Sequence, residues 1–290
     1  MADTSLSALR SAAPRAPLVL PVINRVLLWA AFLTLSFACV YPMVWLFLNA
    51  FKTTNEMFSA TWALPQQWRW QNFSTAWNYG ISRYLLNSLI VTTSAVVIEL
   101  AIATLAAYAL VVLDFRGKAA IYILILGGAI LPPEVSLFPL FKVMAATGLY
   151  NTYLALILPN VAFGLPFTTF LIRAYMVGIP MDLREAALMD GASDFTIFRS
   201  IYLPLCRPVM ASAGLISAMR VWNEFIFALT FVESETVKTV TIGVMSFAVA
   251  LRADWGVLMA GLALSVLPIL VTFLVMQRQF VGGLTSGAVK

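Results

Sequence analysis

Long apolar stretches separated by short polar segments dominate the chain. A bilayer core of about 30 Å needs roughly 20 residues of apolar helix to cross it. Six stretches are long enough, at about 26–48, 88–113, 119–145, 152–175, 208–232 and 255–276. The pattern therefore predicts an all-α polytopic membrane protein with six transmembrane helices.

Composition narrows the class of protein. Hydrophobic residues make up 61% of the 290 residues and charged residues only 11%, whereas soluble domains are about 45–50% apolar and about 25% charged. A soluble enzyme, a disordered chain and a secreted disulfide scaffold are therefore excluded. The chain has no histidine and only two distant cysteines, so we predict no metal site and no histidine-based catalysis.

The basic residues predict the orientation in the membrane. If the N-terminus is cytoplasmic, 11 of the 18 lysines and arginines fall on the cytoplasmic side or at its interface. Such a bias favours cytoplasmic N- and C-termini. We therefore attribute the net charge of +5 to membrane topology and not to nucleic-acid binding. Residues 1–25 are predicted to be a cytoplasmic tail, and residues 26–290 the six-helix membrane domain.

Residues 178–207, here called the elbow, are the least membrane-like stretch of the second half. Asp182 followed by Glu185 resembles a capping box with Asp in place of Ser or Thr. Gly191 suits a turn after this helix, and Pro204 suits the end of a second short helix. The pattern predicts a helix–glycine–helix elbow, which either lies on the membrane surface or contacts a partner.

The order of residues in the elbow carries a family resemblance. Glu185-Ala186-Ala187, three residues, Gly191 and then Ile201-Tyr202-Leu203-Pro204 resemble the EAA loop of ABC-importer permease subunits. The likeness to the carbohydrate branch of that family covers nearly the whole chain. Its further motifs are Asn49–Lys52, Asn87–Ser88, Asp190–Ala192, Leu203–Leu205, Pro208, Trp222–Phe225 and Gly283–Lys290.

The resemblance implies a fold and a role. The chain looks like the six-span, maltose-permease-G-like subunit of a binding-protein-dependent importer, with the type I ABC-importer permease fold, in the plasma (inner) membrane of a prokaryote. It would be a transport subunit and no enzyme, forming half of the pathway for a sugar or sugar-like solute. The residues implied to couple it to an ATPase are Asp182, Glu185, Ala186, Ala187, Asp190, Gly191, Leu203 and Pro204.

The same resemblance implies the partners. They are a homologous second permease, two ATPase subunits and an extracytoplasmic solute-binding protein, in contact with membrane lipid and without nucleic acid. A heteromer is favoured over a homodimer of this chain. No Gly-x-x-x-x-Gly-Lys-Ser/Thr loop is present, so ATP and Mg²⁺ are expected on the partner ATPase and no cofactor on this chain.

A polar group of residues falls within the fifth predicted span. Arg220, Asn223, Glu224 and Phe227 are spaced i, i+3, i+4 and i+7, which places them on one face of a continuous helix. Charged groups in the membrane usually face a cavity or a partner. The face is therefore either an internal Arg220–Glu224 pair or part of the translocation pathway.

Two further places in the spans carry polar or helix-breaking residues. Pro132 and Pro133 remove backbone donors, and Glu134 follows them. We expect a break in the third span here, as a structural kink or as a gate region. Glu99 is an isolated acid in the second span, expected to be buried against a polar partner or to be protonated.

Other classes of membrane protein predict different sequence patterns. An ion-gradient-driven secondary transporter would show inverted repeats and paired intramembrane acids, and an integral membrane enzyme would need a cluster of catalytic groups. Neither pattern is visible in the sequence. An ABC permease for a non-sugar solute such as a glycerol phosphate stays open, because the sequence does not identify the solute.

Overall fold

The computed structural model describes residues 19–250 and 254–285, and all regular elements in these ranges are helical. Four short turns have other helical geometry, the π-helical turns Trp77–Ile81 and Phe198–Tyr202 and the 3₁₀ turns Gly128–Ile130 and Pro133–Ser136. The α-helices are α1 Val19–Asn49, α2 Thr54–Ser59, α3 Gln71–Ala76, α4 Ser82–Val112, α5 Lys118–Gly127, α6 Leu137–Ala146, α7 Tyr153–Met176, α8 Asp182–Met189, α9 Asp194–Ile197, α10 Leu203–Leu205, α11 Arg207–Trp222, α12 Ile226–Phe231, α13 Val240–Ala250 and α14 Trp255–Thr285.

Within the described ranges, four continuous helical segments are long and apolar enough to span a membrane. They are Asn24–Asn49, Gln71–Val112, Tyr153–Met176 and Trp255–Val275. Two bent pairs of helices also qualify when each pair is counted as one span, which gives up to six. The chain is therefore an all-α multi-span protein, as the apolar pattern predicts.

The third predicted span, 119–145, is a sharply broken pair and no straight helix. The segments Lys118–Ile130 and Pro133–Ala146 meet at 92°. Leu131 and Pro132 are extended, with ψ of 116° and 137°. A residue before proline is driven out of helical geometry, so two successive prolines force two residues out of the helix and turn the chain.

The fifth predicted span, 208–232, is interrupted as well. Helix α11 ends at Trp222, and the short α12 begins at Ile226. The 16 residues of α11 reach only about 24 Å at 1.5 Å per residue, which is less than the bilayer core. At its other end α11 meets the segment Asp194–Leu205 at 71°, so the fifth span joins the elbow directly.

Helices α4, α7 and α11 form the centre of the bundle. Ala103 and Ala107 of α4 are fully buried and pack with Ile172 and Met176 of α7 and with Ala213 of α11. In a bilayer the hydrophobic effect does not drive helices together, so close packing of backbones at small side chains stabilises their association. These three helices hold the polar residues described below.

Helix α1 stands apart from this centre. Only its last turns pack on the bundle, through Trp45, Leu46 and Phe47. Leu33 and Phe37 are each 67% exposed, and none of the most apolar window of α1 is buried. The helix begins at Val19, so its first turns fall within the segment 1–25 that the sequence predicts to be a cytoplasmic tail. Residues 1–18, and the end of the C-terminal motif at 286–290, lie outside the described residues.

Candidate functional site

The first arm of the elbow is α8, and a left-handed glycine ends it. Gly191 has φ +79°, a conformation that side chains with a Cβ rarely adopt. The amide of Gly191 donates to the carbonyl of Leu188 and that of Ala192 to Ala187, each at 3.0 Å. This pair of bonds is the Schellman motif, which explains why the EAA spacing places a glycine four residues after Ala187.

The predicted capping box at the start of α8 is wrong. The residue before the helix is Met181, which is already helical (φ −68°, ψ −23°) and makes no side-chain cap. An N-cap residue needs an extended backbone, and Asp182 is instead the first helical residue. Asp182 and Glu185 are both exposed in the first turn, where carboxylates interact favourably with the helix dipole.

The second arm of the elbow is tied to the membrane helices. Ser193 caps α9, its Oγ accepting from the amide of Thr196 at 3.3 Å. The hydroxyl of Tyr108 in α4 donates to the Asp194 carbonyl at 3.0 Å, and its ring packs edge-on against the buried Tyr202 at 5.2 Å. The arm runs on to Leu205, so Pro204 does not end it as predicted.

An ion pair joins the two arms. Arg184 Nη2 of α8 lies 3.3 Å from Asp194 Oδ1 of α9. Because Tyr108 also donates to the Asp194 carbonyl, α8 is connected to α4 through α9. Leu203 and Pro204 are half-buried, whereas Asp190 is exposed at the end of α8.

The elbow carries exposed apolar side chains beside its exposed acidic residues. Met189 is 88% exposed and Phe195 68%, with Leu183 and Leu188 also exposed. Ala186 is exposed and Ala187 half-buried, so no large side chain there holds a partner away. Exposed apolar clusters of this kind mark protein contact sites.

The second site is a cavity of about 580 Å³ on the bundle, here called the Arg220 cavity. Three segments line it, namely the break between α5 and α6, the proline-containing middle of α7, and the junction of α11 with α12. Among its lining residues are Pro133, Glu134, Arg220, Asn223, Glu224 and Phe227. The structure thus brings together most of the intramembrane residues singled out in the sequence.

Arg220 pairs with Glu99, and not with Glu224 as the sequence suggested. Arg220 Nη2 lies 2.7 Å from Glu99 Oε2. Arg220 also donates to Asn160, with Nη1 at 3.2 Å from Oδ1 and Nη2 at 3.0 Å from the carbonyl oxygen. The isolated acid Glu99 therefore has a cationic partner, which lies 121 residues away in the sequence.

Glu99 is almost completely buried and accepts two further hydrogen bonds. Thr168 Oγ1 donates at 2.5 Å and Ser217 Oγ at 2.6 Å. With Arg220, these donors satisfy both carboxylate oxygens. A charged group that is buried in this way needs such a set of partners. The pair joins α4, α7 and α11 directly behind the Arg220 cavity.

Gly164 makes room for this pair. A Cβ added at Gly164 would lie 2.2 Å from Glu99 Oε2 and 2.3 Å from Arg220 Nη2. From the sequence, Asn160 and Gly164 predict only a bent fourth span with no polar role, and Thr168 is not singled out. Their signal was present, because a spacing of four residues places the three on one face of α7.

The predicted common helical face of Arg220, Asn223, Glu224 and Phe227 is wrong, although all four line the cavity. Asn223 follows the last residue of α11, and its side chain donates back to the Met219 carbonyl at 2.8 Å. Glu224 accepts the amides of Phe227 at 2.6 Å and Ala228 at 3.1 Å. The carboxylate therefore caps α12, which fixes the break after Trp222.

The family model for binding-protein-dependent transport system inner membrane components matches residues 99–282. The chain belongs to this family of ABC-importer permeases. It is therefore a membrane transport subunit of the inner membrane that works with a solute-binding protein. Family membership removes the ion-gradient-driven transporter and the membrane enzyme as alternatives.

Similar proteins cover nearly the whole chain. The probable ABC transporter permease YurM of Bacillus subtilis (strain 168) is 45% identical over 262 residues, 90% of this chain and 87% of its own length. The diacetylchitobiose uptake permease NgcG of Streptomyces coelicolor is 34% identical over 87% of this chain and 84% of its own.

A solved structure has the same fold. A chain of a bacterial ABC transporter that imports the acidic polysaccharide alginate superposes with a TM-score of 0.74. The match covers 93% of this chain and 99% of that one, at 22% identity. The chain therefore has the fold of a type I ABC-importer permease.

Proposed function

We propose that this permease imports a sugar or sugar-like solute and that the Arg220 cavity is its part of the translocation pathway. The observation that carries the proposal is the cavity itself. It joins polar groups, Arg220, Asn223 and Glu134, to the exposed rings of Phe167 and Phe225. Ligand sites typically combine apolar walls with a few polar groups that fix orientation. A relative whose name specifies uptake of diacetylchitobiose supports the solute class.

The proposal includes a second, homologous permease that completes the pathway. The cavity opens at the surface of a single chain, and α1 lies exposed beside the bundle. Surfaces of this kind face either lipid or another membrane subunit. We place the elbow and both termini in the cytoplasm, with residues 1–25 and 26–290 as tail and membrane domain.

We also propose that the elbow docks on one of two cytoplasmic ATPase subunits, which bind ATP and Mg²⁺. The exposed Met189 and Phe195 provide the apolar contact, Glu185 the charged contact, and Ala186 and Ala187 the close approach. Because Arg184, Asp194 and Tyr108 link α8 to α4, closure of the ATPases moves the elbow and the membrane helices together. ATP binding must favour one of two packings for this coupling to work.

An uptake assay tests the pathway. The complex with its sister permease, ATPases and binding protein is reconstituted in vesicles, and ATP-driven sugar uptake is measured. Asn223→Trp, which fills the cavity, is expected to lower uptake at least tenfold. Leu124→Trp is the control, because Leu124 is 76% exposed on α5 and does not line the cavity. Equal uptake by the two variants would refute the proposed pathway.

A further inference from the structure

In the Arg220 cavity, the positive charge is paired with an acidic residue, whereas the negative charges form no ion pair. Among the residues that line the cavity, the charged ones are Glu134, Arg220 and Glu224. Glu99 lies behind Arg220 and neutralises its guanidinium at 2.7 Å. The one cation on the cavity wall is therefore already paired, and it is held in that position by Asn160.

Neither of the two carboxylates forms an ion pair among the described residues, and Arg220, which attracts Glu224, is already paired with Glu99. Glu224 interacts with the amides of Phe227 and Ala228, which hold its oxygens without adding a formal charge. Glu134 is exposed at the start of the Pro133–Ser136 turn. No ion pair or side-chain hydrogen bond to Glu134 is found in the ranges 19–250 and 254–285. With Arg220 and Glu99 cancelling, the cavity carries an excess of negative charge.

We propose that the Arg220 cavity selects uncharged, hydroxyl-rich solutes against anionic ones such as uronates, with Glu134 as a specificity-determining residue. This inference rests on the proposed sugar pathway and deepens it. A solute carboxylate would enter beside two carboxylates that no cation neutralises, and like charges repel each other. Sugar hydroxyls, in contrast, donate hydrogen bonds to carboxylate oxygens.

The aromatic wall favours the same solutes. Phe167 is 49% exposed and Phe225 36%, and both rings line the same cavity as the carboxylates. Aromatic faces pack on the C–H faces of sugar rings without needing a charge. The structurally similar alginate importer carries an acidic polysaccharide, so the shared fold by itself does not decide the charge of the solute.

Direct binding to the permease tests the selection apart from the binding protein. The two permeases with their ATPases are placed in nanodiscs without the binding protein, whose own selectivity would otherwise be measured. Maltotriose is the neutral probe and trigalacturonate the anionic probe of equal length. Saturation-transfer NMR titrations give the dissociation constant of each. We expect trigalacturonate to bind at least tenfold more weakly.

Two variants assign the effect to Glu134. The gap between the probes is the ratio of their dissociation constants, trigalacturonate over maltotriose, and Glu134→Gln is expected to reduce it severalfold. Glu134→Lys is expected to reverse the preference. Asp114→Asn removes the same charge from an exposed turn outside the cavity and is expected to leave the gap unchanged. A wild-type complex that binds both probes equally would overturn the charge selection, as would a gap that Glu134→Gln does not change.

The outcomes also separate this inference from the proposed function. If the charge gap is absent but Asn223→Trp abolishes binding and uptake, the sugar pathway stands and only the charge selection fails. If neither probe binds and Asn223→Trp leaves uptake unchanged, the pathway is wrong and the inference fails with it.

Discussion

Arg220 Nη2 lies 2.7 Å from Glu99 Oε2, and this ion pair joins α11 to α4 in the middle of the bundle. The two side chains differ in exposure. Glu99 is 1% exposed, whereas Arg220 is 37% exposed towards the cavity. The pair therefore stabilises the bundle through a carboxylate that cannot reach solvent and a cation that can.

This difference in exposure predicts that removing Arg220 and removing Glu99 lower the free energy of unfolding by different amounts. Arg220→Met leaves a buried carboxylate without a cation and is expected to lower the free energy of unfolding by about 3–5 kcal/mol. Glu99→Gln is expected to lower the free energy of unfolding less, because the Arg220 side chain is partly exposed to the cavity and can be solvated there. The double variant should recover most of the loss, since no charge then stays buried. Thermal unfolding of the purified complex measures all three.

The pair Glu235–Lys238, whose carboxylate is exposed, is the control for this cycle. Glu235 is 56% exposed, and exposed ion pairs contribute only about 0–1 kcal/mol. Glu235→Gln should therefore lower the free energy of unfolding much less than Arg220→Met does. Equal losses from Arg220→Met and Glu99→Gln, without recovery in the double variant, would contradict the buried-pair interpretation.

Gly164 is predicted to tolerate no side chain. The methyl group of Gly164→Ala would overlap Glu99 Oε2 and Arg220 Nη2, so either the ion pair or the packing of α7 must shift. We expect a loss of about 1–3 kcal/mol, the usual result of overpacking, together with reduced uptake. Gly127→Ala is the control, because a Cβ at that position meets no atom within 4 Å. If Gly164→Ala matched Gly127→Ala in thermal stability and uptake, the tight fit around the pair would be disproved.

Local sequence pattern predicts the spans and the break at Pro132 because those features depend on neighbouring residues. It fails at Asn223 and Glu224, since the apolar run continues beyond them, whereas α11 ends at Trp222 and Glu224 accepts the Phe227 amide in the first turn of α12. The partner of Glu99 could not be predicted from spacing. Arg220 is 121 residues away, and the packing of α4 on α11 decides the contact.

Acid is predicted to loosen the segment between α12 and α13. Glu235 Oε1 accepts from Lys238 Nζ and Oε2 from the Tyr84 hydroxyl, each at 2.5 Å. The hydrogen bonds from Lys238 and then from Tyr84 lower the pKa of Glu235. The carboxylate loses its charge more readily in the unfolded chain than in the folded one. Its contribution is therefore present above the unfolded pKa of about 4.3 and is lost as the pH falls through the lower folded value.

Hydrogen exchange of residues 233–239 between pH 6 and pH 3, corrected for the intrinsic rate, measures this loosening. Protection should fall in the acid range in the wild type, and in Glu235→Gln it should be low at every pH. The same pH profile in both proteins would show that another group controls the segment.

Gly191 is predicted to couple ATP hydrolysis to uptake through its backbone conformation. Its φ of +79° ends α8, and a β-branched residue in this conformation is strained by roughly 1–3 kcal/mol. Gly191→Val is therefore expected to disrupt the two hydrogen bonds of the Schellman motif and to misplace α8 relative to the ATPase. The permease should still insert and assemble, but the number of ATP molecules hydrolysed per solute imported should rise severalfold.

Gly117→Val is the matched control. Gly117 has φ +86° and, like Gly191, open space around its Cβ position. The substitution therefore adds similar strain at a turn outside the elbow. Normal uptake by Gly191→Val, or equal uncoupling by both variants, would rule out a specific coupling role for the glycine of the elbow.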